Sequence, residues 1–329
     1  MVNITFKNIG QGDSIVIEWQ KDSTNKVGIV DCNLFHDVNP VLEHIIASKY
    51  QEIDFIVLSH PHYDHFSGLR QLLEYCENHK IVIRKFLQTS QQVPEYLRVA
   101  TRSVISTNEL VLLFTVIKRL RKKKIIEFLT YISDEIKDIF LTDELHLRFL
   151  APSSVEYEKF LSRTPLFDEE DPHNNSQSNW LSTIIKIYTS DWYILLTSDS
   201  SIETLKRVGI QKKDEFLNFL KLGQSPHHGA KGNHYDAFWK TKKHESKTPI
   251  VFSVGNNIYK HPSEKAVSFF SESKNNYKIF STNQVGSLNE FVSSLRSSTI
   301  SAYLDLAGSE EIVDPIAPSQ YQGDQTFNF

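Results

Sequence analysis

One short stretch restricts the possible folds of this chain more than any other, a histidine-rich segment that directly follows an apolar run. The run Ile53–Leu58 has the length and composition of a buried strand. The segment after it has the spacing His-x-His-x-Asp-His, formed by His60, His62, Asp64 and His65. Neutral imidazole and carboxylate are the usual protein ligands of zinc-like cations. We therefore expect a metal-binding loop at the carboxyl end of a strand.

The spacing within this loop predicts two neighbouring metal positions. A loop that turns back on itself can direct His60 and His62 at one ion, and Asp64 and His65 at a second ion nearby. The alternative is an accidental histidine-rich surface loop, and the position directly after an apolar strand argues against it. Asp31 ends an earlier predicted strand, and its carboxylate either accepts a hydrogen bond from a ligand histidine or lies in solvent.

Composition and charge limit the class of protein and the cellular compartment that fit a metal-binding loop. The 329 residues are 40% hydrophobic, which is enough for a substantial core, and the net charge is -4. That charge does not indicate a general nucleic-acid binder, although a local basic groove remains compatible with it. Cys32 and Cys76 are the two cysteines, so we expect no disulfide framework. Without a recognisable secretory signal or a membrane-spanning apolar run, we expect a soluble cytoplasmic protein.

Strand and helix patterns alternate along much of the chain, which is typical of an α/β sandwich. From about residue 89 to residue 140 this alternation stops, and helical spacing extends from Asn108 to Phe140. We interpret this segment as an inserted helical cap. Its basic run includes Lys122, Lys123 and Lys124, which either contact substrate phosphates or form a solvated helix face.

The domain organisation that we expect is simple. One domain covers residues 1–306 and includes the insertion at about 89–140. The remainder, residues 307–329, is rich in serine, proline, glutamine and glycine, and we expect it to be a mobile tail.

Two clusters in the second half of the chain repeat the pattern of a ligand residue after a strand. Asp199 follows the apolar run Tyr193–Leu196, where a carboxylate can bridge two ions. His227 and His228 follow an apolar run that ends at Leu222. Adjacent residues in extended backbone point in opposite directions, so we expect only one of these histidines to bind metal. We favour His227, and we assign His228 to substrate phosphate or to support of the ligands.

Together these blocks resemble the metallo-β-lactamase superfamily, whose signature is His-x-His-x-Asp-His. They are most similar to the metallo-β-lactamase domain of the DNA-uptake competence protein family. The similar blocks occur in the same order and are Gly10-Gln11-Gly12-Asp13-Ser14, His60 to His65, Asn179-Trp180-Leu181-Ser182, Leu195 to Asp199, His227-His228-Gly229-Ala230, His261-Pro262 and Thr282 to Gly286. The resemblance implies an αββα sandwich and two divalent metal ions, zinc or manganese.

The resemblance leaves the third ligand of the first metal open. The superfamily has a histidine between the metal loop and the bridging aspartate, and His173 is the candidate by its order in the chain. The competence-type domain has an asparagine there, which makes Asn179 the rival. His261 either donates a proton or binds phosphate, or it only precedes a helix.

The function that we expect is hydrolysis of a phosphodiester in DNA or RNA through a metal-bound hydroxide. Hydrolysis of a small ester, lactone or cyclic nucleotide is the alternative, because this fold supports many reactions. A metal-stabilised regulatory module is the non-catalytic alternative. The expected partners are a nucleic-acid substrate and a protein of a DNA-processing or defence system, without a membrane. The expected metal ligands are His60, His62, Asp64, His65, His173, Asp199 and His227, with Asp64, Asp199 and His261 as catalytic residues.

Overall fold

Two seven-stranded β-sheets packed face to face form the centre of the molecule. The computed structural model describes residues 1–90, 103–163, 174–295 and 320–329. Within these ranges, helices cover the outer face of each sheet. The central strands require this arrangement, because they are buried on both faces and each face needs an apolar partner. The αββα sandwich that the sequence predicts is therefore confirmed.

The first sheet is antiparallel on one side and parallel on the other. Its strands are β1 (Val2–Phe6), β2 (Ile15–Lys21), β3 (Thr24–Val30), β4 (Glu52–Leu58), β5 (Val82–Gln88), β6 (Ile126–Tyr131) and β14 (Gln325–Asn328). In space they follow the order β14-β1-β2-β3-β4-β5-β6. Pairing is antiparallel from β14 to β3 and parallel from β3 to β6. The carboxyl ends of β3, β4 and β5 therefore lie at one edge.

The second sheet repeats this plan. Its strands are β7 (Ile139–Phe140), β8 (His146–Ala151), β9 (Ile184–Tyr188), β10 (Trp192–Leu196), β11 (Phe219–Gln224), β12 (Thr248–Phe252) and β13 (Tyr277–Ser281). The spatial order is β13-β12-β11-β10-β9-β8-β7. Strands β10 to β13 are parallel, and β7 to β10 are antiparallel. The carboxyl ends of β10, β11 and β12 share an edge in the same way.

Helices fill the connections between strands. They are α1 (Pro40–Ser48), α2 (Tyr63–Phe66), α3 (Leu69–His79), α4 (Val104–Lys122), α5 (Ser154–Arg163), α6 (Ile202–Gln211), α7 (Asp236–Lys240) and α8 (Glu264–Ser271). Residues 287–295 are also helical. Short 3-10 turns occupy Asn174–Leu181, Lys213–Phe216, Pro226–Gly229 and Ser273–Asn275. In the described ranges, none of the helices has the length and apolarity needed to cross a bilayer.

The predicted helical cap is correct only in its first part. Helix α4 exists, but its apolar side, including Leu113, Ile117 and Leu120, is buried against the outer face of the first sheet. The helical interpretation of the following residues is wrong, because β6 pairs in parallel with β5 and β7 pairs with β8. Apolar residues in this segment fit either period, and pairing with distant strands decides between them. The segment is thus part of the sandwich.

The prediction of a mobile tail is wrong for its last residues. Strand β14 lies antiparallel beside β1 and extends the first sheet. The backbone N–H of Val2 donates to the carbonyl of Phe329 at 2.7 Å, and the Phe329 N–H donates to the carbonyl of Val2 at 2.9 Å. Phe327 adds an edge-on ring contact with Phe6 at 6.5 Å. Residues 307–319 of the predicted tail lie outside the described residues.

Candidate metal centre

The predicted ligands other than His173 meet where the carboxyl ends of the two sheets face each other. The His60–His65 loop follows β4, and Asp31 follows the neighbouring strand β3. In the second sheet, Asp199 follows β10 and the His227-His228 pair follows the neighbouring strand β11. The carboxyl ends of parallel strands are the usual place for a functional site in an α/β protein.

The carboxylate of Asp199 lies at the centre of this cluster. Its Oδ2 atom is 3.6 Å from His60 Nε2 and 3.5 Å from His227 Nε2. Its Oδ1 atom is 3.5 Å from the Nε2 atoms of both His65 and His228. Two ligand atoms that share a tetrahedral zinc-like ion are about 3.4 Å apart. Each oxygen of Asp199 is thus spaced for a separate ion, which fits the geometry of a bridging carboxylate.

The first of these positions lies between the first two histidines of the motif. His60 Nε2 is 2.9 Å from His62 Nδ1, so the two rings present nitrogen atoms to the same point. The other nitrogen of His62 contacts the hydroxyl of Ser178. The Nδ1 atom of His60 is 3.1 Å from the hydroxyl of Ser59. His60 faces the Oδ2 side of Asp199, and His62 lies beside His60.

The second position is defined by buried atoms that have no hydrogen-bond partner within the described part of the chain. These are His65 Nε2, Asp199 Oδ1 and His228 Nε2. Asp64 Oδ2 completes the group at 3.6 Å from His228 Nε2. A buried polar atom without a partner is costly, and a bound cation removes that cost. The donor set therefore fits a divalent ion.

The Nδ1 atoms of His65 and His228, on the ring edges that face away from Asp199, also form hydrogen bonds. His65 Nδ1 donates to Asp31 Oδ2 at 2.7 Å, and His228 Nδ1 donates to the carbonyl of Ser253 at 2.7 Å. The backbone N–H of Ser59 donates to the second oxygen of Asp31. Such bonds fix which ring nitrogen is left to bind a metal. Of the two interpretations of Asp31, support of a ligand histidine is the correct one.

Electrostatics in the metal-free protein show how strongly these groups are coupled. Burial opposes ionisation of Asp199, but the neighbouring His227, His228 and His65 outweigh it and hold the pKa of Asp199 well below its usual range. Burial likewise disfavours the charged form of His228, yet Asp199 and Asp64 raise the pKa of His228 to about 9. Ring protons thus supply the positive charge that the carboxylates require, and metal ions would replace those protons.

The geometric argument for choosing between His227 and His228 is wrong. Both residues adopt left-handed backbone, with φ of 48° and 54°, so the chain is not extended there. Consecutive left-handed residues curl the backbone, and both rings therefore face Asp199. His228 is the more buried of the two, and its Nε2 lies within reach of the second position, where the sequence prediction places His227. His227 faces the Oδ2 side instead.

The sequence offers two candidates for the third ligand of the first position, His173 and Asn179. His173 lies outside the described residues. Asn179 is described, and its Nδ2 atom is 3.1 Å from His227 Nδ1, while its Oδ1 atom is buried without a partner. Asn179 thus contacts a histidine at the edge of the centre, and His227 Nε2 supplies a donor close to Asp199 Oδ2.

Asp13 is a residue of the centre that the sequence analysis places in the first glycine block and does not assign as a ligand. This block connects β1 and β2, and it also folds under the metal loop, where the Asp13 N–H donates to the carbonyl of Asp64 at 3.1 Å. Gly12 has φ of +123°, and a Cβ atom there would lie 2.2 Å from that same carbonyl oxygen. The glycine next to an aspartate was the available signal, because only glycine permits this close approach.

Two other predicted residues occupy different positions. The ring of His261 lies 5.7 Å from that of His227, at the rim of the centre. The basic run of Lys122, Lys123 and Lys124 lies at the opposite end of the sheet, because Ile125 bonds to the beginning of β5. The length of β5, about 20 Å, separates the run from the metal loop. The expectation that these lysines lie beside the centre is therefore wrong.

The two-sheet fold is consistent with the metallo-β-lactamase fold. Residues 9–145 match the family model described as the metallo-beta-lactamase superfamily. The matched residues include the His-x-His-x-Asp-His loop together with Asp13 and Asp31.

Several solved structures are similar to this chain. The metallo-beta-lactamase fold protein YhfI from Bacillus subtilis is 12% identical over 85% of this chain and 96% of its own, with a TM-score of 0.47. Tm1679, described as a metal-dependent hydrolase of the beta-lactamase superfamily, is 13% identical over 85% and 96%, with a TM-score of 0.43. A long form RNase Z from yeast is 14% identical over 78% and 37%, with a TM-score of 0.40. No curated protein matches the chain.

Proposed function

We propose that this protein is a metal-dependent hydrolase that uses two divalent ions to cleave a phosphodiester in DNA or RNA. One observation carries the proposal: each carboxylate oxygen of Asp199 lies 3.5–3.6 Å from two histidine Nε2 atoms. This is the ligand spacing for two adjacent ions that share one carboxylate. The ligand assignment that follows is His60, His62 and His227 for the first ion, Asp64, His65 and His228 for the second, and Asp199 for both.

The residues of the chain have separate roles in this reaction. Bound ions supply Lewis acidity for the attacking water and for the phosphoryl oxygens. Asp199 holds the two positions at a fixed separation, while Asp31 and the carbonyl of Ser253 fix the orientation of His65 and His228. His261, at the rim beside His227, is placed to give a proton to the departing oxygen or to bind a phosphate.

A cavity beside His261 is where we place the part of the substrate that flanks the scissile bond. Its volume is about 360 Å³, and it opens between the loop that contains His261 and the beginning of the helix at 287–295. The lining includes the amide side chains of Asn256, Asn257, Gln284 and Asn289, together with the charged Lys260 and Glu290. Amides offer both donors and acceptors without charge, which suits a nucleobase better than an aliphatic acyl chain.

The finer resemblance to the competence-type domain leads to the same proposal. That family's role in DNA uptake favours a nucleic-acid substrate and a partner protein in a DNA-processing or defence system. Lys122, Lys123 and Lys124 can then contact only the portion of a polymer that extends about 20 Å beyond the centre. Cys32 and Cys76 are free, buried thiols, which fits a reducing cytoplasm as the place of action.

The test compares substrates with protein loaded with Mn²⁺ or Zn²⁺. Plasmid, single-stranded DNA, RNA and bis(p-nitrophenyl) phosphate represent phosphodiesters, and a lactone, a carboxylic ester and a cyclic nucleotide represent the alternative. We expect cleavage of a nucleic acid by the wild type and loss of that cleavage in Asp199→Asn. Turnover of the lactone or ester alone, or of the cyclic nucleotide alone, would overturn the nuclease proposal, and equal cleavage by Asp199→Asn would assign the activity to a contaminant.

A further inference from the structure

The ligand set described above leaves one buried carboxylate in the centre without a role. Asp13 is 1% exposed, and its Oδ1 atom has no hydrogen-bond partner among the described residues. His65 Nε2 and His228 Nε2, the atoms that mark the proposed second metal position, are likewise buried without a partner among the described residues. Burying an ionisable oxygen without a hydrogen-bond partner costs free energy, unless a ligand binds that oxygen.

A carboxylate oxygen of Asp13 is in the right place to contact that ion. Asp13, Asp199 and His228 each offer one ligand atom, and these three atoms lie within 4.8 Å of one another. Ligands on opposite sides of a six-coordinate ion are separated by about 4–5 Å, and neighbouring ligands by less. One ion can therefore contact all three atoms after small side-chain adjustments.

The surroundings of Asp13 hold one of its oxygens through a hydrogen bond and leave the other without one among the described residues. Gln224 Nε2 donates to Asp13 Oδ2 at 2.8 Å. The carbonyl oxygen of the same Gln224 side chain accepts from the backbone N–H groups of Thr197 and Ser198, at 2.9 Å and 3.0 Å. Gln224 thus ties the orientation of Asp13 to the turn that presents Asp199, even though these residues come from different sheets.

We propose that Asp13 is a direct ligand of the second metal ion. That ion then has five protein donors, Asp13, Asp64, His65, Asp199 and His228. The proposal rests on the metal binding of the proposed function, but not on the nature of the substrate. Five donors, three of them carboxylates, exceed the four of a tetrahedral zinc site and suit an ion that prefers oxygen-rich octahedral coordination, such as Mn²⁺.

The experiment measures Mn²⁺ binding to the full chain by titration calorimetry and electron paramagnetic resonance. Asp13→Asn keeps the size of the side chain and removes its charge, so we expect the weaker of two Mn²⁺ affinities to fall at least about tenfold. We expect Asp13→Glu to recover part of that loss. The matched control is Asp54→Asn, because Asp54 also has a buried oxygen without a partner but follows the start of β4, at the opposite end of the sheet.

A crystal structure of the Mn²⁺-loaded wild type gives a second measurement that does not depend on how the variants fold. An Asp13 oxygen about 2.0–2.4 Å from an anomalous Mn²⁺ peak establishes the ligand. A separation above about 3 Å, or unchanged Mn²⁺ affinity in folded Asp13→Asn, overturns it. A protein that binds Mn²⁺ through Asp13 but cleaves no phosphodiester would refute the proposed function and leave this proposal intact.

Discussion

Two adjacent histidines in left-handed backbone are an unusual local feature with a definite cost. For a residue with a side chain, this conformation costs about 1–2 kcal/mol relative to the right-handed one. His227 and His228 both adopt it, and both of their rings then face Asp199. Strain of this kind is retained where function requires it. The pair allows a single turn to present one ring to each carboxylate oxygen of Asp199.

The two histidines should therefore make separable contributions to metal binding. We expect His228→Ala to lose the second ion, because its Nε2 faces both Asp64 and Asp199. His227→Ala should retain the second ion and weaken the first. Elemental analysis after dialysis measures both contents, and His79→Ala, on the distant end of α3, is the control. Loss of both ions from His227→Ala, with none lost from His228→Ala, would contradict this assignment.

The raised pKa of His228 predicts how metal affinity depends on pH. The ring must lose its proton before it binds a cation, and its pKa in the metal-free protein is about 9, against 6.5 ordinarily. We therefore expect the thermal shift produced by Mn²⁺ to increase from pH about 6.5 to about 9. The His228→Asn variant should show a flatter profile over this range. A wild-type shift that does not change with pH would contradict the prediction.

The same group has the opposite effect on the metal-free protein. Its folded pKa lies above its unfolded pKa, so the protonated ring contributes stability that is fully present below about pH 6.5. That contribution is lost as the pH rises through about 9. Unfolding of the metal-free wild type and of His228→Asn in urea, at both pH values, should show a stability difference that disappears at the higher pH.

At the scale of single elements, the packing of β3 against β4 depends on one glycine. Gly28 lies opposite Phe55 in the parallel register, and a Cβ atom on Gly28 would lie 2.0 Å from the Phe55 ring. That ring cannot move away easily, because it stacks on Trp19 at 5.8 Å. The Phe55 ring thus occupies the space that a side chain at position 28 would need.

Gly28→Ala should consequently destabilise the fold by about 1–3 kcal/mol, the usual cost of overpacking a core. Urea-induced unfolding measures the change. Gly232→Ala is the matched control, because a Cβ atom there meets nothing within 4 Å and should cost little. Equal stability of the two variants would show that the Phe55–Trp19 stack adjusts freely.

The elements differ in how well the sequence predicts them. The His60–His65 loop is local in sequence, so its position after β4 and its pattern of possible metal ligands could be predicted from the sequence. Strand β6 could not, because its helical or extended state depends on pairing with β5, which no short pattern contains. The role of Asp13 was missed for a similar reason: its neighbours Gln224 and His228 are distant in the chain.

At the scale of the whole molecule, β14 covers the edge of the first sheet that β1 would otherwise form. Without β14, strand β1 would present unpaired backbone groups to solvent, and such edges promote aggregation. A chain that ends before residue 325 should melt at a lower temperature and form larger species in size-exclusion chromatography. Asn328→Ala, which leaves the backbone pairing intact, should behave like the wild type. An unchanged melting temperature in the truncated chain would make β14 dispensable.

The proposed metal ligands come from both sheets, and this origin has a consequence for folding kinetics. Asp13, Asp64 and His65 belong to the first half of the chain, whereas Asp199 and His228 arrive with the second. A complete binding site exists only after the two halves have docked, and contacts between distant residues form slowly. Metal cannot then act as a template for early folding. Metal uptake during refolding would instead follow the last step of assembly, in which one sheet packs against the other, and its rate would report the rate of that step.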